Sequence, residues 1–332
     1  MSKKRKQKNK SKKRVTVLCI ILVILLIPMA ASLGIFGHFL GKINTLDPNS
    51  VVTVSPEEED FETDEDASGQ KLDPNDITWA SDEDINDDGL LNILLIGQDR
   101  RPGEGRTRSD SMILVSVNIE TGRVSMISFL RDLYVQIPGY SDNRINAAYA
   151  FGGMELLDAT LEKNFGITVD GNIEVDFDGF TDSIDILGGV DITLTDAEAA
   201  IVGFKSGGTY HLDGEHALTY ARIRYIGTDF GRTERQRTVL TALYNKFKTC
   251  DLQTALKLVN SIFPLVTTDM TKTQIISCVT KGVRILKDVK LSSYHIPSDD
   301  SFYYATIRGM SVIVPDLKEC RRLLKDVYLP LY

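Results

Sequence analysis

The 332-residue chain carries only four cysteines, four histidines and one tryptophan. Cys19 lies in an apolar run near the start, and Cys250, Cys278 and Cys320 are an odd, scattered three without a CxxC pair. Such a set builds neither a disulfide framework nor a zinc site. His38, His211, His216 and His295 are equally dispersed, and neither HExxH nor HxxEH occurs, so no zinc hydrolase is indicated. The chain lacks the G-x-S-x-G nucleophile elbow and the G-x-x-x-x-G-K-[ST] phosphate loop. Gly103-Glu-Gly105 is too short and misplaced to be a dinucleotide fingerprint.

Charge of one sign is absent from one stretch and nearly absent from another. Residues 1–14 hold nine Lys or Arg and no acid, whereas residues 43–90 hold 16 Asp or Glu against one Lys. The overall charge of −8 comes mostly from that acidic stretch, because residues 91–332 carry 27 basic and 30 acidic side chains. A near-neutral folded part argues against a nucleic-acid binder, whose domain should be basic.

Between the basic tail and Lys42 lies an uncharged, mostly apolar run over residues 15–37. Its 23 residues suffice for a helix to cross a ~30 Å hydrocarbon core. A cleaved signal peptide is the alternative, with MAASLG as a small-residue cut site, but the run exceeds the ~7–15 apolar residues of a signal sequence. The expected plan is therefore a cytoplasmic tail (1–14), a transmembrane signal-anchor (15–37), an acidic extracellular linker (38–90) and a catalytic domain (91–332). The positive-inside rule places everything after the span outside the cell membrane. The linker reads as solvated and self-repelling. Asp84, Asn86, Asp88 and Gly89 copy the start of a calcium loop, but Leu95 stands where that loop needs Glu, so loop solvation is the better reading.

In the folded part, LNILLI (91–96) predicts a buried strand, and SMILVSVN and RVSMISFL predict a hairpin around Thr121-Gly122. Residues 145–165 have helical spacing, NIEVDF (172–177) and VDITL read as strands, and DGFTDSIDILGG reads as a helix stopped by glycines. Thr233-Glu-Arg-Gln236 before VLTALYNKF predicts a capping box opening a helix. Further helices are expected from about 252 and 272, with late strands at LSSYHIP and MSVIVP and a last helix opened by Pro315. This alternation without a strict βαβ repeat predicts a layered α/β fold with a mixed sheet.

Five arginines, Arg222 to Arg237, crowd into residues 221–237, ARIRYIGTDFGRTERQR. Arginine forks match phosphate oxygens two at a time, and so many need an anion or acid partners. Arg232 and Gln236 stand four apart, close to helix N–H groups that favour an anion. A salt-laced surface is the plain alternative. Asp99 and Asp110 flank a loop that antiparallel strands would close, and paired carboxylates beside phosphate suit Mg²⁺. On spacing alone, pairing with Arg100, Arg101, Arg106 or Arg108 is the better reading.

Five ordered stretches carry a resemblance: NILLIGQDR; TRSDSMILVSVN; FLRDLYVQIPG with RINAAYAFGG; VDFDGFTDSIDILGGVDI; and LDGEHALTYARIRYIGTDFGRTERQR. Over roughly residues 91–245, and in its anchor plan, the chain resembles the LytR-CpsA-Psr family of Gram-positive envelope phosphotransferases. The resemblance implies a three-layer α-β-α sandwich with a mixed central sheet and a hydrophobic tunnel for a polyprenyl chain. It implies transfer of a glycopolymer from undecaprenyl pyrophosphate to peptidoglycan, at a muramic acid hydroxyl. Carried over, Asp99 and Asp110 hold Mg²⁺, or Mn²⁺ in its place. Arg131, Arg222, Arg224, Arg232 and Gln236 grip the pyrophosphate, with Arg131 and Arg222 also catalytic, and Asp229 is the candidate base. Leu130 departs from the Pro that the family often has before the Arg-Asp pair. The apolar helices around Ile145–Phe165 and Phe177–Leu187 are candidate walls of the tunnel. Teichoic acid, capsule and secondary wall polysaccharide are all open as the glycopolymer. The rivals are a polyprenyl-pyrophosphate hydrolase, a transcriptional attenuator, and a lipid-glycan binding module without turnover.

Overall fold

A computed structural model describes residues 40–46, 53–65, 67, 69–79, 85, 89–98, 106–175, 177–223, 226, 229–247, 249–285 and 289–331. The expected tail and anchor, residues 1–37, lie outside the described residues. Among those described, no helix is long and apolar enough to cross a membrane.

In chain order the strands are β1 (Asn44–Thr45), β2 (Gln70–Lys71), β3 (Leu90–Gln98), β4 (Ser109–Asn118), β5 (Arg123–Phe129), β6 (Tyr134–Val135), β7 (Asn143–Arg144), β8 (Gly171–Val175), β9 (Val190–Leu194), β10 (Gly208–Leu212), β11 (Val266–Thr268), β12 (Lys290–Ile296), β13 (Phe302–Ile307) and β14 (Met310–Pro315). The helices are α1 (Ile145–Phe165), α2 (Phe177–Ile186), α3 (Asp196–Val202), α4 (Gly214–Ala221), α5 (Asp229–Phe247), α6 (Leu252–Ile262), α7 (Lys272–Ile285) and α8 (Leu317–Leu323).

The centre is a seven-stranded mixed sheet in the order β1-β11-β8-β3-β4-β5-β12. Strand β3 runs parallel to β8, β5 runs parallel to β12, and β4 is antiparallel to both β3 and β5. The β4–β5 turn is fixed by the Asn118 carboxamide oxygen, which accepts from the Glu120 and Thr121 N–H groups, and by Gly122 at φ 68°.

Alternation along the strands feeds two cores. Ile93, Leu95, Ile113 and Val115 face the side covered by α2 and α4–α7. Leu94, Ile96, Met112 and Leu114 face the side covered by α1 and α8. Both faces are therefore dry, which is why LNILLI reads as a continuous apolar run. Leu95, the residue that spoils the calcium-loop pattern, is one of these core positions. Helix α1 is kinked at Gly153, whose φ of 69° and ψ of −151° an L-residue tolerates poorly. On the other face α2 and α4 approach closely: a Cβ on Gly214 would lie 2.5 Å from the Thr181 carbonyl oxygen.

Residues 53–79 differ from the expected solvated linker. Strand β2 pairs with β13 at the edge of a small sheet, β14-β13-β2. Phe61, Leu72, Ile77 and Trp79 pack on a third core formed by Tyr134, Ile307 and Val312. The carboxylates that looked self-repelling meet cations: Asp64 pairs with Arg144, and Glu62 lies 3.4 Å from Arg108 and 3.8 Å from Arg144. An apolar residue every few positions, together with arginines far along the chain, offsets a charge density that alone predicts disorder.

Other departures are local. Helix α5 starts at Asp229, four residues before the expected cap. Strand β13, helix α3 and strand β10 form where local periodicity marks no element. Thr195 and Glu198 form a true capping box for α3. The last helix is capped by Asp316, which accepts from the Glu319 N–H, while Pro315 ends β14.

Candidate active site

Strands β3, β5, β8 and β12 end on one side of the molecule, where β4 begins. In open α/β sheets ligands bind beyond such carboxyl ends. Asp110 is the second residue of β4. Extending the β4–β5 register two places past Met112–Phe129 sets Asp110 opposite Arg131. Arg131 Nη1 lies 2.7 Å from Asp110 Oδ1, and its Nε lies 3.4 Å from Asp132 Oδ2. Asp110 and Arg131 are each 24% exposed, so the pair is open to solvent on one side.

The first turn of α5 completes this group. Arg232 is buried and donates Nη2 to the Asp110 carbonyl oxygen at 3.3 Å. One turn on, Gln236 Oε1 accepts from the Ser111 hydroxyl at 3.0 Å. The (i, i+4) spacing puts Arg232 and Gln236 on one face of the helix, and that face meets the start of β4. The expected capping box is absent: Thr233 sits inside the helix and donates its hydroxyl to the Phe230 carbonyl at 2.9 Å. Gln236 is therefore released from capping and turned to the strand end, and the helix N-terminus begins at Asp229.

Arg222 is the exposed C-cap of α4. It shares with Gln236 the lining of a cavity of about 120 Å³. Leu95, Ile113, Phe180, Leu218 and Leu240 form its apolar walls, between the sheet and helices α2, α4 and α5. A charged mouth over an apolar interior suits a molecule with an anionic head and a hydrocarbon tail. One expectation fails: α1 (Ile145–Phe165) packs on the opposite face of the sheet and does not line this cavity. Apolar periodicity identifies a buried helix but not which sheet face buries it. Asp99 and Arg224, and the side chain of Asp229, lie outside the described residues.

Arg235 and Arg237 are buried and hold the fold together. Arg235 pairs with Glu198 at 2.8 Å and donates to the carbonyls of Ile223 and Ile226 at 3.0 and 2.7 Å. It ties the chain leaving Arg222 to α5. Arg237 donates to the Ser128 hydroxyl at 2.7 Å, and burial draws its guanidinium down to about 10. Leu130, where the family often has Pro, is fully buried and donates its N–H to the Ile296 carbonyl at 3.1 Å. A proline would lose that bond, which here holds the end of β5 beside Arg131.

Sequence reasoning missed Ser111. Ser111 carries no signal beyond its place next to Asp110. Phe230 follows Asp229, and its ring lies 5.0 Å from His295 and 5.1 Å from Phe302. A second cleft, of about 540 Å³, opens beside Arg131, with Glu62 and Asp64 facing Arg144 and Asp132 across it. As to a metal, Asp110 offers a hard carboxylate oxygen of the kind Mg²⁺ takes. Among the described residues no group of three or more His, Cys, Asp or Glu side chains is arranged to hold an ion.

The LytR_cpsA_psr family model matches residues 51–326. The regulatory protein MsrR of Staphylococcus aureus (strain COL) is 36% identical over 226 residues, covering 66% of this chain and 68% of that protein. The polyisoprenyl-teichoic acid–peptidoglycan teichoic acid transferase TagU of Bacillus mycoides (strain KBAB4) is 39% identical over 160 residues, 47% of this chain and 52% of TagU. Among solved structures, TagT bound to LIIa-WTA superposes with a TM-score of 0.59 at 25% identity, covering 76% of this chain and 99% of that one. TagV of B. subtilis gives 0.55 at 29% identity over 71% and 96% of the two chains.

Proposed function

The chain belongs to the LytR-CpsA-Psr family, and from that premise we propose that it transfers a glycopolymer phosphate from a polyprenyl-pyrophosphate carrier to a hydroxyl of peptidoglycan. The observation that carries this reading is Arg222 and Gln236 at the mouth of an apolar cavity, with Asp110, Arg131 and Arg232 at the adjoining strand ends. A donor with a hydrocarbon tail and a doubly charged head fits that arrangement. The name of TagU and the polymer-bound structure of TagT support the substrate class.

In this reading the polyprenyl tail enters the cavity between the sheet and α4–α5. Arg222, Arg224, Arg232 and Arg131 neutralise the pyrophosphate oxygens, and Gln236 orients them. The attacking hydroxyl oxygen bonds to the glycan-side phosphorus, and the bond to the lipid-side phosphate breaks. Asp229 takes the hydroxyl proton, and the polyprenyl monophosphate leaves. Such transfer needs in-line positioning and charge stabilisation more than covalent help. Asp110 and Asp99 would hold Mg²⁺, which supplies further positive charge at the phosphate when bound. Arg131 and Asp110 face each other at 2.7 Å, placed so that the arginine would hold a phosphate oxygen and the carboxylate the cation. An N-terminal anchor over residues 15–37 would hold the domain at the outer membrane face, within reach of both substrates.

Incubating the protein with a short-chain polyprenyl-pyrophosphate glycan, peptidoglycan oligomers and Mg²⁺ tests this. A glycan-phosphate-peptidoglycan adduct is expected from the native chain and none from Arg222→Ala. Free glycan phosphate formed equally without acceptor would identify a hydrolase instead. The name of MsrR raises a regulatory reading. A purely regulatory protein would bind the donor and return it unchanged.

A further inference from the structure

A large groove shares no lining residue with the cavity beneath Arg222. It has a volume of about 1150 Å³ and runs between the small sheet and α8. Trp79, Phe302 and Tyr303 line it together with Asp300, Lys318 and Arg322. Tyr303 is 51% exposed, a large aromatic surface left in water. Trp79 is backed by Tyr134, the ring centroids 6.3 Å apart and tilted by 25°. Neither the arginine cluster nor the tunnel uses any of these groups.

We infer that this groove binds the acceptor, as a glycan strand of pyranose rings. The inference rests on the transferase reading. A pyranose ring has an apolar C–H face, which packs on an aromatic side chain, and a rim of hydroxyls, which bonds to carboxylates, ammonium groups and guanidinium groups. Trp79 and Tyr303 supply the first kind of contact and Asp300, Lys318 and Arg322 the second. The mixed signs of those charged groups suit an uncharged or weakly charged strand better than a polyanion.

Position selects the acceptor over the donor's own glycan. Phe302 lines the groove and packs on Phe230, which lies between Asp229 and Arg232 in the sequence, the ring centroids 5.1 Å apart. The groove therefore leads to the start of α5. Phe302 and Leu317 pack with the core on the α1–α8 face of the sheet, whereas the lipid cavity lies on the other face. Phosphoryl transfer places the attacking and leaving oxygens roughly in line. The leaving polyprenyl phosphate departs toward the cavity, so the hydroxyl enters from the opposite side, where this groove lies. The last third of the chain, which carries no motif of its own, thereby gains a role.

Trp79 is the only tryptophan in the sequence, so its emission reports on this groove. The whole protein is titrated with soluble β-1,4-linked N-acetylglucosamine oligomers, without donor. A saturable change in emission is expected, weakened about tenfold by Tyr303→Ala and preserved by Tyr303→Phe. In the transfer assay Tyr303→Ala should raise the acceptor KM about tenfold and leave kcat and donor affinity unchanged. An emission unaffected by the oligomers, or an acceptor KM unmoved by Tyr303→Ala in an enzyme that Arg222→Ala abolishes, overturns the groove and leaves the transferase standing. A Tyr303-dependent emission change in a protein that makes no adduct overturns the transferase and leaves glycan binding standing.

Discussion

Arg131 Nη1 and Asp110 Oδ1 stand 2.7 Å apart at the ends of neighbouring antiparallel strands. Each side chain keeps 24% of its surface in solvent, and a pair that water still reaches contributes only about 1 kcal/mol to stability. A pair that stabilises little but sits at the strand ends is available for exchange with charged ligands. Asp110→Ala and Arg131→Ala should each lower transfer by about 100-fold or more, the cost of losing one preorganised charge contact. Melting temperatures should stay within a few degrees of the native chain. Thermal melts run beside the product assay check both halves.

The cavity gives a second expectation. Leu218 lines its wall one turn before Arg222. Leu218→Trp should fill the interior without touching the charged mouth. Affinity for a long-chain polyprenyl-pyrophosphate donor should fall at least tenfold, while inhibition by inorganic pyrophosphate stays unchanged. Competition binding with the two ligands separates these effects.

Arg235 makes a third. It is buried and holds Glu198 and the Ile223 and Ile226 carbonyls at once. Breaking such a buried pair typically costs ~3–5 kcal/mol. Arg235→Ala should therefore lower unfolding stability by about 3 kcal/mol in a denaturant titration. It should also weaken donor binding, because Arg222 and α5 lose their tie.

Asp158, in α1, predicts a pH dependence far from the site. Burial pushes its carboxyl up to about 8, against the opposing hydrogen bond from Asn172, and nearby Asp269 adds to the rise. The unfolded chain releases this proton near ~4, while the fold retains it. The contribution is thus fully present below pH ~4 and is lost as pH rises, the loss being complete past about 8. Asp158→Asn should flatten that decline and gain stability at pH 8.5, on the order of a few kcal/mol. Denaturant midpoints measured at pH 5 and pH 8.5 for both chains test the sign.

A fifth expectation concerns the acidic segment. A chain beginning at residue 91 would expose the core around Tyr134 and leave the buried Arg144 without Asp64 and Glu62. It should melt well below a chain beginning at residue 40. Matched thermal melts decide this.

What could be read from the sequence followed from local periodicity. The β3–β4–β5 meander, α1 and α2 are marked by alternating or helical apolar spacing, whereas the Asp110–Arg131 pair emerges only from the β4–β5 register, the sequence having suggested Asp99 or the loop arginines as neighbours of Asp110. What could not be read depended on distant partners. The sheet face that buries α1 is a tertiary choice, and so is the pairing of Glu62 and Asp64 with arginines some 45–80 residues away along the sequence. At Thr233 the capping-box letters are present, but the helix already runs from Asp229, so tertiary packing of Arg232 against β4 overrides the local signal. Arg235 shows the limit of reading function from composition, since a fork that fits phosphate fits two backbone carbonyls and a carboxylate as well.

The most direct test of the account follows one phosphorus atom. A polyprenyl-pyrophosphate glycan labelled at its glycan-side phosphate is supplied to the full chain with peptidoglycan and Mg²⁺. The account predicts label joined to peptidoglycan and an equal yield of unlabelled polyprenyl monophosphate. Label recovered only in intact donor, or only as free glycan phosphate whatever acceptor is present, would contradict it.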